Sequence, residues 1–471
     1  MLFTQSVFWI FFVVVFLSII LNSFYIKKIA LQNSILLMAS YIFYGYWDWK
    51  FLTLIFICTL QTFLFASLIS STDLKKFYLW TSISLNLLIL GFFKYYNFFF
   101  SELTLLFQSL GYEGSYTTLK IILPVGISFY IFQSLTYVID VYKEKIPTEK
   151  SFLNYSTFVA FFPQLVAGPI ERASNLLPQF AMITTINSLN LWQGIKLIIF
   201  GLFLKVVIAD GLAPSVDSIF NDYKLLDGGT LALGAIYFSA QIYGDFCGYS
   251  TIAIGVAKCL GFNLMNNFDT PYLSFSIQEF WRRWHISLSS FFRDYIYIPL
   301  GGSRVGERKT FLNTLITFTT SGLWHGANWT FICWGLFHGI TLVLQRFFNK
   351  KNLFSFMNSS TSIGKFLSWV VTILIVINFW IFFRSDSIDM ALNYISLMYQ
   401  NINIPQAYTN VSYLLIILAA IDLLWKGNTR LERPIFKSAF LELFTLSCML
   451  AGIFFCAFFY GTDNAFIYFQ F

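Results

Sequence analysis

The sequence has little charge: only 11% of its 471 residues are charged, whereas 57% are hydrophobic. A soluble domain carries about 25% charged residues, so this chain has too few to cover a surface that faces water. It also lacks the basic run that a nucleic-acid-binding protein needs, and its net charge of +7 is better explained by loops that face an anionic membrane surface. These absences exclude a soluble enzyme and a nucleic-acid partner, and they predict an integral membrane protein in the lipid bilayer.

Cysteine is also scarce, with six residues and no CxxC pair. Most of the cysteines lie in apolar stretches, so they are better interpreted as small buried hydrophobes than as disulfides. The spacing of the three histidines does not fit a zinc site, and no clustered cysteine or carboxylate completes a ligand set. We therefore expect no bound metal.

Apolar and aromatic residues are abundant, with 58 Phe, 26 Tyr and 13 Trp. The chain is long enough for about a dozen membrane spans of roughly 20 residues each. Candidate spans lie near residues 7–26, 29–47, 51–71, 77–97, 119–142, 154–168, 191–209, 229–257, 311–345, 364–383, 411–425 and 440–460. The first has no basic segment before it and is counted as a span, not as a removed signal peptide. We predict an all-α polytopic membrane protein with a single transmembrane domain over residues 1–471, in which 311–345 forms a bent helix or a helical hairpin.

Basic residues alternate along the predicted connectors. Lysines occur in the first, third and fifth connectors, whereas the fourth, residues 98–119, has neither Lys nor Arg. By the positive-inside rule the odd connectors face the cytoplasm and the N-terminus lies outside. The densest basic block, residues 282–309, is then also cytoplasmic.

That block begins with an amphipathic pattern. Aromatic side chains between residues 281 and 295 recur at helical spacing, whereas Arg282, Arg283 and Arg293 lie on the other side. A helix of this kind lies in the membrane interface instead of crossing the bilayer. The pattern therefore predicts one continuous interfacial helix.

The three histidines fall within one stretch, and two of them are candidates for chemistry. His325 lies in an apolar segment, where an ionisable side chain is costly and is therefore a functional candidate. His285 follows Trp284 on the predicted interfacial helix. Histidine has the pKa that suits a general base near neutral pH. The alternative is a histidine that only fills space, and we favour that interpretation for His338, which could share a site with His325 only if residues 326–328 break the helix.

Two further polar segments lie in apolar surroundings. Gln241 and Asp245 are four positions apart on one helical face, where they line a polar tunnel or bond each other across helices. The stretch 161–172 (FFPQLVAGPIER) is interrupted by Pro and Gly. Such breaks are tolerated only where protein or a water-filled cavity satisfies the freed backbone groups.

Together these segments resemble the membrane-bound O-acyltransferase family. The resemblance is carried by residues 281–304 (WRRWHISLSSFFRDYIYIPLGGSR), 321–329 (SGLWHGANW), 161–172 and the C-terminal 466–471 (FIYFQF). It is nearest to the bacterial branch that acetylates alginate and peptidoglycan, which is related to the D-alanylation protein of Gram-positive walls. Relatives often have Asp where this chain has Thr251.

The resemblance implies a ring of about 11–13 transmembrane and interfacial helices around a central tunnel. His325 then matches the catalytic histidine of the family, and His285 matches its second active-site position. The residues expected to line the tunnel or the substrate site are Gln241, Asp245, Trp284, Trp324 and Asn328.

The implied function is O-acetylation of a polysaccharide outside the bacterial cytoplasmic (inner) membrane. No cofactor is expected to be tightly bound. Acetyl-CoA is the expected donor, with an acyl carrier as the alternative, and Arg282, Arg283 and Arg293 are expected to meet its phosphates. The resemblance also implies an extracytoplasmic partner with an SGNH-type acetyltransferase fold. Peptidoglycan, alginate and other exopolysaccharides all remain possible acceptors.

Two alternatives from other classes fit the same spans. A polysaccharide flippase or transporter would also carry polar residues inside the membrane, although many transporters have paired broken segments from inverted repeats, which are absent from this sequence. A non-catalytic scaffold of an acetylation complex would tolerate the loss of both His285 and His325.

Overall fold

The computed structural model describes residues 1–112, 119, 121–351, 361–400, 403–428, 436, 438–460 and 467. Within these ranges the chain is mainly helical and contains no β-strand, which confirms the all-α prediction. In chain order the α-helices are α1 Ser6–Leu21, α2 Ile29–Asp48, α3 Leu52–Ser71, α4 Lys75–Leu90, α5 Tyr96–Ser109, α6 Ile127–Tyr142, α7 Phe152–Ala160, α8 Phe162–Leu165, α9 Ala173–Phe180, α10 Ser188–Leu202, α11 Asp210–Asn221, α12 Gly228–Cys259, α13 Ile277–Arg283, α14 Ile286–Phe292, α15 Glu307–His325, α16 Trp329–Lys350, α17 Ser362–Arg384, α18 Ile388–Gln400, α19 Tyr413–Trp425 and α20 Ala439–Tyr460. The C-terminal motif 466–471 lies outside the described residues except for Ile467.

Several helical stretches are long and apolar enough to cross a membrane. In the described ranges they are Ser6–Ile26, Ile29–Ser71, Lys75–Ser109, Trp329–Lys350, Ser362–Arg384 and Ala439–Phe459. They contain the predicted spans at 7–26, 29–47, 51–71, 77–97 and 364–383 and nearly all of the one at 440–460. The chain is therefore a multi-pass membrane protein, whereas the ring of helices, the tunnel and the orientation stay predictions.

Residue contacts divide the chain into two units. One comprises Met1–Ile195 with Ala253–Met265, and the other comprises Lys196–Ile252 with Asn266–Phe471. The first contains the motif at 161–172. The second contains all three histidines. The single domain over residues 1–471 stays a prediction.

In the first unit the predicted span at 154–168 is broken. Helix α7 ends at Ala160 and the short α8 begins at Phe162, because Phe161 leaves the helical conformation with φ −53° and ψ 109°. The Phe162 N–H that the break frees donates to Ser40 Oγ at 3.0 Å. The ring of Phe161 packs 5.3 Å from that of Phe180. Protein groups thus satisfy this break, as a membrane-embedded interruption requires.

In the second unit, of the bent helix and the hairpin predicted for residues 311–345, the structure has the hairpin. Helices α15 and α16 are joined by residues 326–328, and they approach closely at two glycines. A Cβ atom on Gly322 would lie 2.2 Å from the Phe331 carbonyl oxygen, and one on Gly335 would lie 2.3 Å from that of Phe318. Small residues of this kind allow membrane helices to pack backbone against backbone. The hairpin places His325 at its turn.

Replacement of Gly335 tests this close approach. We expect Gly335→Ala to lower the free energy of unfolding by about 1–3 kcal/mol, the usual cost of overpacking, as a lower midpoint of thermal unfolding of the purified protein in lipid nanodiscs. Gly91→Ala is the matched control, because a Cβ atom there would meet no heavy atom within 4 Å. Equal midpoints for the two variants would contradict the close approach.

Candidate active site

The helix predicted over residues 281–295 is not continuous, and that prediction was wrong. Helix α13 ends at Arg283 and α14 begins at Ile286. Between them His285 adopts the left-handed conformation, with φ 42° and ψ 55°. A side-chain pattern with helical period does not reveal a single left-handed residue, because the pattern resumes after it. The break turns the imidazole inward, and His285 is fully buried.

A loop segment stabilises this break. The Ile286 N–H donates to the Asn267 carbonyl at 2.9 Å, and the Asp269 N–H donates to the Arg283 carbonyl, also at 2.9 Å. The Asn267 side chain adds a hydrogen bond, since its Oδ1 lies 3.0 Å from His285 Nδ1. The backbone groups that the interruption exposes are therefore paired within the protein, as buried peptide groups must be.

His325 reaches the site from the hairpin. It is the last residue of α15, and Gly326 has an extended backbone, with φ −162°. Asn328 then caps the start of α16, since its Oδ1 accepts a hydrogen bond from the Thr330 N–H at 3.0 Å. Its Nδ2 donates to the Asp386 carbonyl at 2.9 Å. Asn328, predicted to line the tunnel, thus caps a helix and holds the turn beside His325.

The two predicted histidines are brought together. The ring centroids of His285 and His325 are 6.4 Å apart. The Trp324 ring lies against both, 5.8 Å from His285 and 4.9 Å from His325. His325 is 3% exposed and Trp324 is 5% exposed. The arrangement is an enclosed pair of imidazoles in an aromatic environment, which keeps water away from any reaction there.

Trp284 belongs to the wall of this cluster. Its fully buried ring lies 4.9 Å from that of Trp380 and 5.1 Å from that of Phe268. Phe246 on α12 adds an edge contact to His285, with ring centroids 4.6 Å apart. These side chains also desolvate His285, and burial lowers its pKa to about 3. The imidazole is therefore neutral at physiological pH, and a neutral imidazole has one ring nitrogen that donates a hydrogen bond and one that accepts.

His338 has a packing role, as predicted. The Trp281 Nε1–H donates to His338 Nδ1 at 3.2 Å. The Trp334 ring lies 5.0 Å from both His338 and His325. The helix does break at residues 326–328, which was the condition for His338 to share a site with His325. The ring that contacts both of these histidines is that of Trp334.

The predicted pair Gln241 and Asp245 lies on α12. The Asp245 carboxylate is 2% exposed and forms an ion pair with Lys205 at 2.7 Å. Its second oxygen accepts a hydrogen bond from the Ile467 N–H at 2.6 Å. The Gln241 Oε1 has no hydrogen-bond partner among the described residues. Asp245 is thus engaged in an ion pair with another helix segment, whereas Phe246, the next residue of α12, contacts the His285 ring.

The three predicted donor-binding arginines have different environments. Arg283 pairs with Glu279 at 2.8 Å and also donates to the Asp269 carbonyl, so it braces the helix break. Arg282 and Arg293 line a cavity of about 610 Å³. Arg346 of α16 lines the same cavity, and the sequence reasoning missed it. Arg293 also pairs with Asp294 at 2.7 Å.

The cavity shares a wall with the histidine cluster. Trp281 lines it and contacts the Trp334 ring at 5.6 Å. Ser321 also lines it, four residues before His325 on α15, a rise of about 6 Å along the helix. Cationic side chains at a cavity beside two buried imidazoles suit an anionic substrate whose reactive end enters the cluster.

Comparisons with known proteins show what the chain is similar to. Residues 42–384 match the family model described as MBOAT, membrane-bound O-acyltransferase family. The chain is 39% identical to a probable alginate O-acetylase of Azotobacter vinelandii over 398 residues, which is 83% of this chain and 76% of the relative. It is 36% identical to the peptidoglycan O-acetyltransferase of Helicobacter pylori over 407 residues, 80% of this chain and 75% of that protein. It is 32% identical to a teichoic acid D-alanyltransferase of Streptococcus thermophilus over 234 residues, 47% of this chain and 56% of that protein.

The chain belongs to the membrane-bound O-acyltransferase family. It is therefore a membrane enzyme that transfers an acyl group to a hydroxyl, as the sequence predicted.

Proposed function

We propose that this enzyme takes an acetyl group from a cytoplasmic donor and passes it across the membrane for O-acetylation of an extracytoplasmic polysaccharide. The observation that carries the proposal is the enclosed pair His285 and His325, 6.4 Å apart, beside an arginine-lined cavity. The names of the relatives at 36–39% identity support alginate or peptidoglycan as the class of acceptor. The location is the bacterial cytoplasmic membrane, and an SGNH-type acetyltransferase outside it completes transfer to the sugar.

Acetyl-CoA is the donor that the cavity suits. Arg282, Arg293 and Arg346 line it together, and guanidinium groups form strong charge-assisted hydrogen bonds with phosphates. Apolar side chains such as Phe318 line other parts of the same cavity, where the pantetheine arm would lie. A carrier-borne thioester is the alternative donor.

The proposed chemistry uses the two buried imidazoles in a site that excludes water. His325 accepts the proton of the acceptor hydroxyl, while the hydroxyl oxygen forms a bond to the carbonyl carbon of the thioester. The carbon–sulfur bond then breaks, and His325 returns the proton to the departing thiolate. His285 orients the reacting groups or stabilises the charge that develops on them. Transfer through an acetylated His325 is a second route with the same groups.

Loss of His325 tests the reaction. We expect His325→Ala, expressed at the wild-type level, to lower ester-linked acetate on one isolated polymer by about 100-fold or more, because a general base contributes at least that factor. The measurement is acetate released by mild alkali from cell wall and from secreted polysaccharide of wild type, deletion and variant strains. Thr320→Ala, on the same helix, is the control and is expected to retain acetylation. If the deletion strain loses acetate and the His325→Ala strain keeps it, the result would support a transporter or a scaffold instead.

Loss of the cavity arginines tests the donor site. We expect Arg282→Gln and Arg346→Gln each to raise the KM for acetyl-CoA by about 10-fold with little change in kcat, since a hydrogen bond to a charged group contributes about 1.5–3 kcal/mol. Initial rates of the purified enzyme in proteoliposomes give both constants. Lys309→Gln is the matched control, because Lys309 belongs to the same basic block and does not line the cavity. An equal rise in KM for Lys309→Gln would show that bulk charge, and not this cavity, attracts the donor.

A further inference from the structure

Asn267 is a fully buried side chain to which sequence reasoning gave no role. Its Oδ1 is the meeting point of several hydrogen bonds. Ser287 approaches it twice, through Oγ at 2.8 Å and through its backbone N–H at 3.3 Å. His285 Nδ1 lies 3.0 Å away. One amide oxygen therefore holds both the backbone and the imidazole at the break between α13 and α14.

The backbone contact settles which way the amide faces. A backbone N–H can only donate, so the Asn267 atom that faces Ser287 is the carbonyl oxygen and not the NH₂ group. The Ser287 Oγ lies 3.4 Å from His285 Nδ1, but its one hydrogen is donated to Asn267 Oδ1 at 2.8 Å. Because an amide oxygen can only accept, His285 Nδ1 is the nitrogen that carries the proton. In a neutral imidazole the other nitrogen then holds a lone pair. His285 Nε2 has no hydrogen-bond partner among the described residues.

We propose that Asn267 is a positioning residue of the active site: it fixes the proton of His285 on Nδ1 and keeps Nε2 as a buried hydrogen-bond acceptor for the reacting groups. The assignment of the tautomer rests on geometry alone. Its consequence for catalysis rests on the proposed function. A nitrogen that only accepts can orient a hydroxyl group, but it cannot donate to an oxyanion. Of the roles open to His285, orientation of the acceptor is the one that this tautomer supports.

His338 provides an internal reference, because its surroundings require the opposite tautomer. Its Nδ1 accepts the hydrogen bond from the Trp281 indole N–H at 3.2 Å. An indole N–H can only donate, so the proton of a neutral His338 lies on Nε2. The structure thus assigns different tautomers to two buried histidines of one chain.

Nitrogen NMR tests the tautomers directly. The chain has only three histidines, so ¹⁵N-histidine labelling of the full-length protein in lipid bilayers gives three pairs of ring signals, assigned with His325→Ala and His338→Gln. We expect His285 to be protonated on Nδ1 and His338 on Nε2. We expect Asn267→Leu to abolish the Nδ1–H signal of His285, and Asn267→Asp, which keeps an acceptor oxygen, to retain it. A wild-type His285 protonated on Nε2 would overturn the inference.

Kinetics test the consequence for the reaction. We expect Asn267→Leu to lower kcat by at least about 10-fold, since a wrong histidine tautomer impairs proton transfer, with the KM for acetyl-CoA nearly unchanged. Asn267→Asp should recover most of the lost kcat. Asn313→Leu is the matched control, because Asn313 is another buried asparagine of the same unit that braces backbone carbonyls, those of Leu300 and Gly302.

The control separates positioning from general stability. Asn313→Leu should leave the ring signals of His285 unchanged and reduce kcat far less than Asn267→Leu does. An equal loss of kcat in the two variants, or an Asn267→Leu variant that changes the tautomer and keeps its kcat, would contradict a positioning role. The NMR result does not depend on any activity, so failure of the proposed function, seen as acetylation that survives His325→Ala, would leave the tautomer assignment standing.

Discussion

The hydrogen bonds between Asn267 and the interrupted helix at His285 are the interaction on which the site depends. A left-handed non-glycine residue costs about 1–3 kcal/mol, and a break in a buried helix leaves peptide groups without partners. Asn267 compensates for both through its side-chain contacts to His285 and Ser287 and its carbonyl contact to Ile286. Each such bond contributes about 1 kcal/mol, so together they offset the strain. Without the break, His285 would continue the helix of its neighbours.

A second interruption supplies the partner of His285. Helix α15 ends at His325 because Gly326 is extended and Asn328 begins a new helix. The glycines at positions 322 and 335 then let α15 and α16 pack backbone against backbone. Rings of Trp324 and Trp334 fill the space around the imidazole. Two helix breaks, each satisfied by an asparagine, therefore converge on one enclosed pair of histidines.

The sequence predicted the parts of this structure that depend on local pattern. Apolar runs located the long spans, and the length of 311–345 indicated a bent helix or a hairpin. The structure has the hairpin, with His325 at its turn. The resemblance of two motifs identified both histidines. The prediction of a continuous helix over 281–295 was wrong, because the backbone conformation of one residue, His285, leaves no trace in side-chain periodicity.

Long-range contacts were not predictable in the same way. Asn267 is 18 residues from His285 in the chain, and Arg346 joins Arg282 and Arg293 only after α16 folds back on α15. Asp245 has its ionic partner, Lys205, on another segment. No spacing rule connects such residues, because their proximity is set by tertiary packing. Asn267 lies outside every motif of the sequence, and no pattern marks it as a partner of His285.

We propose that His285 and His325 act as one catalytic unit. A double-mutant cycle tests it most directly, with acetyl-transfer rates of the wild type, His285→Ala, His325→Ala and the double variant measured on purified enzyme in proteoliposomes. Groups that act as a unit give strongly non-additive losses. We expect the double variant to be about as slow as His325→Ala alone. Losses that multiply, as for independent sites, would contradict it.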